Sequence, residues 1–129
     1  EGYDPDPTTL ERARKAGLSE IEIVRDPIEA VKNADVLYTD VWTSMGQEDE
    51  RNKRLTDFAK FQINNELLSY AKSDALVMHC LPAHYGEEIT DEVLNGPNSV
   101  VFDEAENRMH AQKAIQVMLA KSMGKEIDI

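Results

Sequence analysis

The sequence predicts an α/β fold, an open parallel sheet flanked by helices. Short apolar segments recur along the chain and alternate with segments that carry helix-start signals. Those apolar segments are nearly continuous instead of alternating, the pattern of strands covered on both faces. Clusters of polar residues follow directly after three of the four strands, where open parallel sheets gather their ligands.

Each element has a local reason. Asp6 followed by Pro7 starts the first helix: a capping carboxylate, then a residue whose missing N–H costs nothing there. The helix is expected to run to about Ala16 and stop at Gly17, which accepts a left-handed conformation. Residues 21–24 read as a short strand. Asp26 and Pro27 repeat the cap-plus-proline signal and open a short helix through Ala34. Residues 36–39 form the second strand and lead into a polar turn from Asp40 to Gly46. A strongly charged helix follows from about Glu48 to Phe58, and another, capped by Asn64 or Asn65, ends near Lys72. Residues 75–78 are the third strand, running straight into His79-Cys80-Leu81-Pro82. Thr90 caps a single helical turn to Asn95. After the loop Gly96-Pro97-Asn98, residues 99–102 are the fourth strand. The last helix spans about Glu104 to Met123, with Met109, Ile115, Met118 and Leu119 in an apolar stripe at helical spacing, and Gly124 closes it. No repeat, low-complexity tract or linker interrupts this order, so one domain is expected.

Composition narrows the function. The 129 residues suit one domain with its own core, and 41% hydrophobic with 30% charged residues is globular. With 25 acidic against 14 basic side chains the net charge is −11, which repels phosphodiester backbones and anionic lipid. Neither nucleic acid nor membrane is an expected partner. A small anionic substrate is compatible, because one well-placed arginine reverses the local potential. Cys80 is the single cysteine and forms no internal disulfide, which points to a reducing compartment, the cytoplasm. No apolar run approaches the ~20 residues of a membrane span. The first seven residues resemble neither a signal nor a transit peptide, and read as the middle of a longer chain.

The chemistry collects in three clusters. In the first, residues 40–46, Asp40 offers a carboxylate to an ammonium group or a cap to its own turn, and Ser44 adds a donor and an acceptor. Trp42 reads as a core or loop anchor, and Met45 as an apolar filler or part of a mobile loop. In the second, residues 79–84, Cys80 is open to reading as a nucleophile, a metal ligand or a buried thiol. Its spacing from His79 and His84 matches no familiar zinc pattern, so neither metal nor cofactor is expected. Leu81-Pro82 is a candidate cis peptide. In the third, residues 103–108, Asp103, Glu104 and Glu106 favour a helix start and disfavour a phosphate there. Arg108 either pairs with Glu104 one turn earlier or projects into the site as a fixed cation for a carbonyl or phosphate oxygen. His110 reads as helix surface. No glycine-rich phosphate loop and no G-x-S-x-G elbow occurs.

These clusters also carry a resemblance. Asp40-Val41-Trp42-Thr43-Ser44-Met45-Gly46, His79-Cys80-Leu81-Pro82-Ala83 and the run from Asp103 to Ala114, in this order and spacing, resemble ornithine carbamoyltransferases. The resemblance extends from Gly2 to about Leu119. The cysteine in His79-Cys80-Leu81-Pro82 separates it from aspartate carbamoyltransferases, which carry a proline there. It implies a Rossmann-like sheet, transfer of a carbamoyl group from carbamoyl phosphate to the δ-amine of L-ornithine, and no cofactor. Asp40 is then expected to take the α-ammonium of ornithine, with Ser44 and Met45 on a loop closing over the amino acid. Cys80 is expected beside the reacting δ-amine, Leu81 to present its backbone carbonyl to the carbamoyl group, and Arg108 to polarise the carbamoyl oxygen.

The departures matter equally. The family's Ser-x-Arg-Thr phosphate grip, its His-Pro-x-Gln segment and the Gly-Asp-x-x-Asn stretch that opens the ornithine domain do not occur here. Residues 1–129 therefore read as an incomplete ornithine-binding domain lacking two central strands, with the carbamoyl-phosphate domain absent. Such a chain is expected to be inactive alone and prone to edge pairing, its parent a homotrimer or a multiple of one. A standalone amino-acid-binding or regulatory module without catalysis is the alternative.

Overall fold

The computed structural model describes residues 2–44 and 46–125, with the backbone alone for Glu48. Helix α1 (Pro7–Ala16) begins where expected: Asp6 Oδ2 accepts the Thr9 N–H at 2.7 Å, and Gly17 closes the helix at φ +64°. Helix α2 (Pro27–Val31) is capped by Asp26, whose Oδ1 accepts the Ile28 N–H at 2.8 Å. It ends three residues before the expected Ala34, because Asn33 turns the chain at φ +58°.

Strand β1 (Val36–Thr39) pairs in parallel with β2 (Leu76–His79), Val36 opposite Leu76 and Thr39 opposite His79. Between them lie a single 3-10 turn (Glu48–Glu50), α3 (Arg51–Phe58), a second 3-10 turn (Ala59–Phe61) and α4 (Asn65–Leu68). Asn64 caps α4 through the Leu67 N–H at 2.9 Å, and the helix stops well short of Lys72. Helix α5 (Asp91–Leu94) is the expected single turn, although the Thr90 side chain makes no capping bond to it. The last helix among the described residues is the long α6 (Val101–Ser122). No helix among the described residues is long and apolar enough to cross a membrane.

Two expected strands are absent. Residues 21–24 belong to no regular element and make no ladder. Ile23 and Val24, about two fifths exposed, share with β1 a groove of ≈ 840 Å³ instead of hydrogen bonds. Apolar character alone makes no strand, since a ladder needs a neighbour at ~4.8 Å.

Residues 99–102 also form no strand. Val77 N–H donates to Asn98 O at 2.8 Å and Val100 N–H to Val77 O at 3.0 Å, an isolated parallel bridge on the outer edge of β2. Pairing then stops because α6 begins at Val101, three residues earlier than expected, with Asp103 and Glu104 in its first turn where the helix dipole favours acids. Val101 is fully buried from that helical position, whereas Phe102 is 64% exposed.

The core is one cluster: Leu37 and Val77 from the strands, with Ile63, Leu67, Ala75, Ile89, Val93, Leu94 and Val101 packed on them. Val36, Tyr38 and Leu76, on the opposite side of the pleat, stay exposed. The sheet is therefore covered on one face, not on both as the continuous apolar strands suggested.

Candidate functional site

Because Thr39 is paired with His79, the residues that follow them, Asp40 and Cys80, leave the carboxyl ends of neighbouring strands side by side. The Cys80 thiol donates to Asp40 Oδ1 at 3.0 Å, and the same oxygen accepts the Val41 N–H at 2.7 Å. Asp40 thus steadies its own turn and holds the thiol at once. The Asp40 carboxylate, with a smaller contribution from burial, raises the Cys80 pKa above the ordinary thiol value, so the S–H form persists at neutral pH.

Tyr38 ties this edge to α6. Its hydroxyl donates to Glu104 Oε1 at 2.9 Å. That bond first, then burial and the Glu104 charge, with Cys80 contributing, hold the phenol up to about 12.

Beneath Cys80 lies a pair that sequence reasoning missed. His79 and Glu88 are both fully buried, with His79 Nε2 3.0 Å from Glu88 Oε1. His79 Nδ1 accepts the Leu81 N–H at 2.8 Å, so it carries no proton, and Nε2–H donates to Glu88. The imidazole is therefore neutral and its tautomer is set by its neighbours. It holds the Leu81 backbone at φ +54°, a conformation a leucine adopts only under such support, ahead of the cis bond to Pro82. Glu88 Oε1 also accepts the His84 N–H at 2.6 Å. Nothing in the spacing of His79 and Glu88 announces the pair. The available signal is Gly86, whose φ of +82° reverses the chain so that the acids after it fold back under the strand end.

The remaining expected residues are less closely engaged. Ser44 is exposed, and its carbonyl accepts the Gln47 N–H at 3.1 Å. Met45 lies outside the described residues. Trp42 is the anchor of the loop: its carbonyl accepts from Arg54 Nη1 at 3.0 Å, and its ring lies 6.0 Å from that of Phe58. Leu81 is half-buried beside Cys80. Arg108 is exposed on α6 and makes no hydrogen bond or ion pair with the described residues. The expected alternative, a pair with Glu104, is not formed; Glu104 bonds Tyr38 instead. Arg108 follows Glu104 by four residues, about 6 Å along the same helix face. The third cluster thus sits in the first two turns of α6 and not at a strand end.

The groove of ≈ 840 Å³ is lined by Tyr38, Thr39 and Trp42 but not by Asp40, Cys80, Leu81 or Arg108. It runs along β1, from Val36 to Thr39, and the expected site residues are not part of its lining. Ligand atoms of Asp40, His79 and Cys80 fall within 4.8 Å of one another, close enough to suggest a metal. Both His79 nitrogens are already committed, one to an amide and one to Glu88, so this trio offers a cation only two groups.

Residues 1–119 match the family model described as aspartate/ornithine carbamoyltransferase, Asp/Orn binding domain. The ornithine carbamoyltransferase of Archaeoglobus fulgidus is 58% identical over 129 residues, which is 100% of this chain and 41% of that protein. That of Chlorobaculum tepidum is 59% identical over 119 residues, 92% of this chain and 35% of its own length. Among solved structures, the ornithine carbamoyltransferase of Pyrococcus furiosus superposes with a TM-score of 0.82 at 52% identity, covering 98% of this chain and 40% of that one. The anabolic enzyme of Campylobacter jejuni reaches a TM-score of 0.87 at 36% identity, covering 95% and 41%. The chain spans about two fifths of the length of such relatives. With strand ends, buried pair and α/β topology in place, the chain belongs to the aspartate/ornithine carbamoyltransferase family, as its amino-acid-binding domain.

Proposed function

We propose that this chain supplies the amino-acid half of an ornithine carbamoyltransferase site, the carbamoyl-phosphate half coming from a separate domain of the whole protein. The observation that carries the reading is the Cys80–Asp40 hydrogen bond at the carboxyl ends of β1 and β2. It supports the reading because a carboxylate able to bind an α-ammonium group stands next to a thiol suited to a neighbouring amine.

In this reading Asp40 binds the α-ammonium of L-ornithine, while Ser44 and Met45 close over it from the loop. The neutral δ-amine attacks the carbonyl carbon of carbamoyl phosphate, forming the C–N bond. The tetrahedral intermediate expels phosphate as the C–O bond breaks, and the nitrogen loses a proton to give L-citrulline. Arg108 and the Leu81 carbonyl hold the carbamoyl group, the guanidinium facing the developing oxyanion.

Cys80 takes part as a proton acceptor in its thiolate form, the thiol proton passing to solvent as ornithine binds and before the loop closes. With the Asp40 carboxylate beside it the thiol is held protonated. An ammonium bound at Asp40 neutralises that carboxylate and lowers the cost of a thiolate beside the δ-amine. Loop closure excludes water from the reactive acyl phosphate. The setting we infer for the whole enzyme is a cytoplasmic homotrimer or a multiple of one.

The experiment is complementation. The chain alone is expected to form no citrulline from ornithine and carbamoyl phosphate. Mixed with the amino-terminal three fifths of a related enzyme, it is expected to form citrulline, and Arg108→Ala to lower that rate by ~10²–10³. Activity that survives Arg108→Ala unchanged, or a folded mixture with no activity, overturns the proposal. Tight ornithine binding by the chain alone without complementation points to a binding module instead.

A further inference from the structure

The turn at residues 84–88, which supplies Glu88 to His79, contains two acids with unmet needs. Glu87 gives Oε1 to the Arg51 guanidinium, but its Oε2 is shielded from solvent and has no hydrogen-bond partner among the described residues. Glu88 is fully buried; Oε1 takes both His79 and the His84 N–H, while Oε2 is likewise shielded and without a partner. Burying carboxylate oxygens without a donor is costly, and their mutual repulsion adds to it.

The His84 imidazole, about half exposed, stands over them with Nδ1 4.0 Å from Glu87 Oε2. That separation is too long for a hydrogen bond but close to the ~3.4 Å between two ligands of a tetrahedral ion with bonds of ~2.1 Å. One ligand atom from each of His84, Glu87 and Glu88 lies within 4.8 Å of the others. We propose that these three side chains form a binding site for one divalent transition cation of zinc type, entering past the imidazole and keeping an outer position for water.

The backbone is already set for this. Gly86 N–H donates to Ile89 O at 2.9 Å, Glu87 N–H to His84 O at 3.0 Å and Ile63 N–H to Glu88 O at 2.9 Å. Gln62 Nε2 clamps the carbonyls of Gly86 and Glu87 at 2.8 Å each. An imidazole nitrogen with two carboxylate oxygens suits zinc, whereas calcium and magnesium favour all-oxygen shells. Spacing rules concerned with His79, Cys80 and His84 overlook the site because two of its ligands are glutamates.

Titration of the whole 129-residue chain with zinc, followed by calorimetry, tests the proposal independently of carbamoyl transfer. One ion is expected per chain. His84→Ala and Glu87→Gln should each weaken binding by more than about tenfold, while Cys80→Ser leaves it unchanged. In the unaltered chain, cobalt should relax NMR signals of residues 84–88 most strongly and show no thiolate-to-metal charge-transfer band. Absence of saturable binding, relaxation centred on residues 40 and 80, or affinity lost with Cys80→Ser but kept in the other two variants overturns it.

Discussion

Cys80 faces Asp40 over 3.0 Å, so a thiolate there would stand as one anion against another. The carboxylate stabilises the protonated form, and the thiol pKa moves up. Alkylation proceeds through the thiolate, so its pH midpoint reports this balance. The midpoint with iodoacetamide is expected above that of an unperturbed thiol. In Asp40→Asn the charge is gone, the midpoint falls, and alkylation near neutral pH becomes faster. A midpoint that stays or rises in that variant would contradict the electrostatic account. Asp40 and Cys80 were legible as candidates because each is a chemically distinct residue following an apolar strand. Glu88 was not legible: an acid in a loop looks solvated until the turn at Gly86 places it under His79.

At the level of elements, end signals were read more accurately than lengths. Asp6, Asp26 and Asn64 cap as expected because capping depends on a side chain and the amides two or three residues ahead. Strands depend on partners, and so residues 21–24 and 99–102 form none despite their apolar sequence. Helix α5 shows how tightly one short element is held. A Cβ on Gly96 would lie 2.6 Å from Glu92 O and 3.3 Å from Val93 O, both backbone atoms of the helix that carries Val93 and Leu94 into the core. Gly96→Ala must displace that last turn. We expect it to lower stability by about 1–3 kcal/mol in urea unfolding, and an unchanged midpoint would refute the close approach.

Over the whole molecule, much apolar surface has no cover. Met109, Ile115, Met118 and Leu119 form the expected stripe on α6, yet each is 46–69% exposed. Strand β1 bonds β2 along one edge and faces the groove along the other. An open edge beside exposed apolar residues recruits further chains. Light scattering after size exclusion should therefore show a mass that rises with concentration. A single monomer peak at every concentration would mean that these surfaces are closed in solution.

The sequence by itself determined the α/β class, the capped helix starts, the family and the identity of Asp40 and Cys80 as neighbours in waiting. Those features rest on local chemistry and on motifs that survive translation along the chain. Tertiary structure alone decided which apolar segments became strands, which hydroxyl holds Glu104, and which acid fixes the His79 tautomer. Each of these needs a partner distant in sequence, and a backbone or side-chain polar group expresses no preference among partners until the fold has brought one within reach.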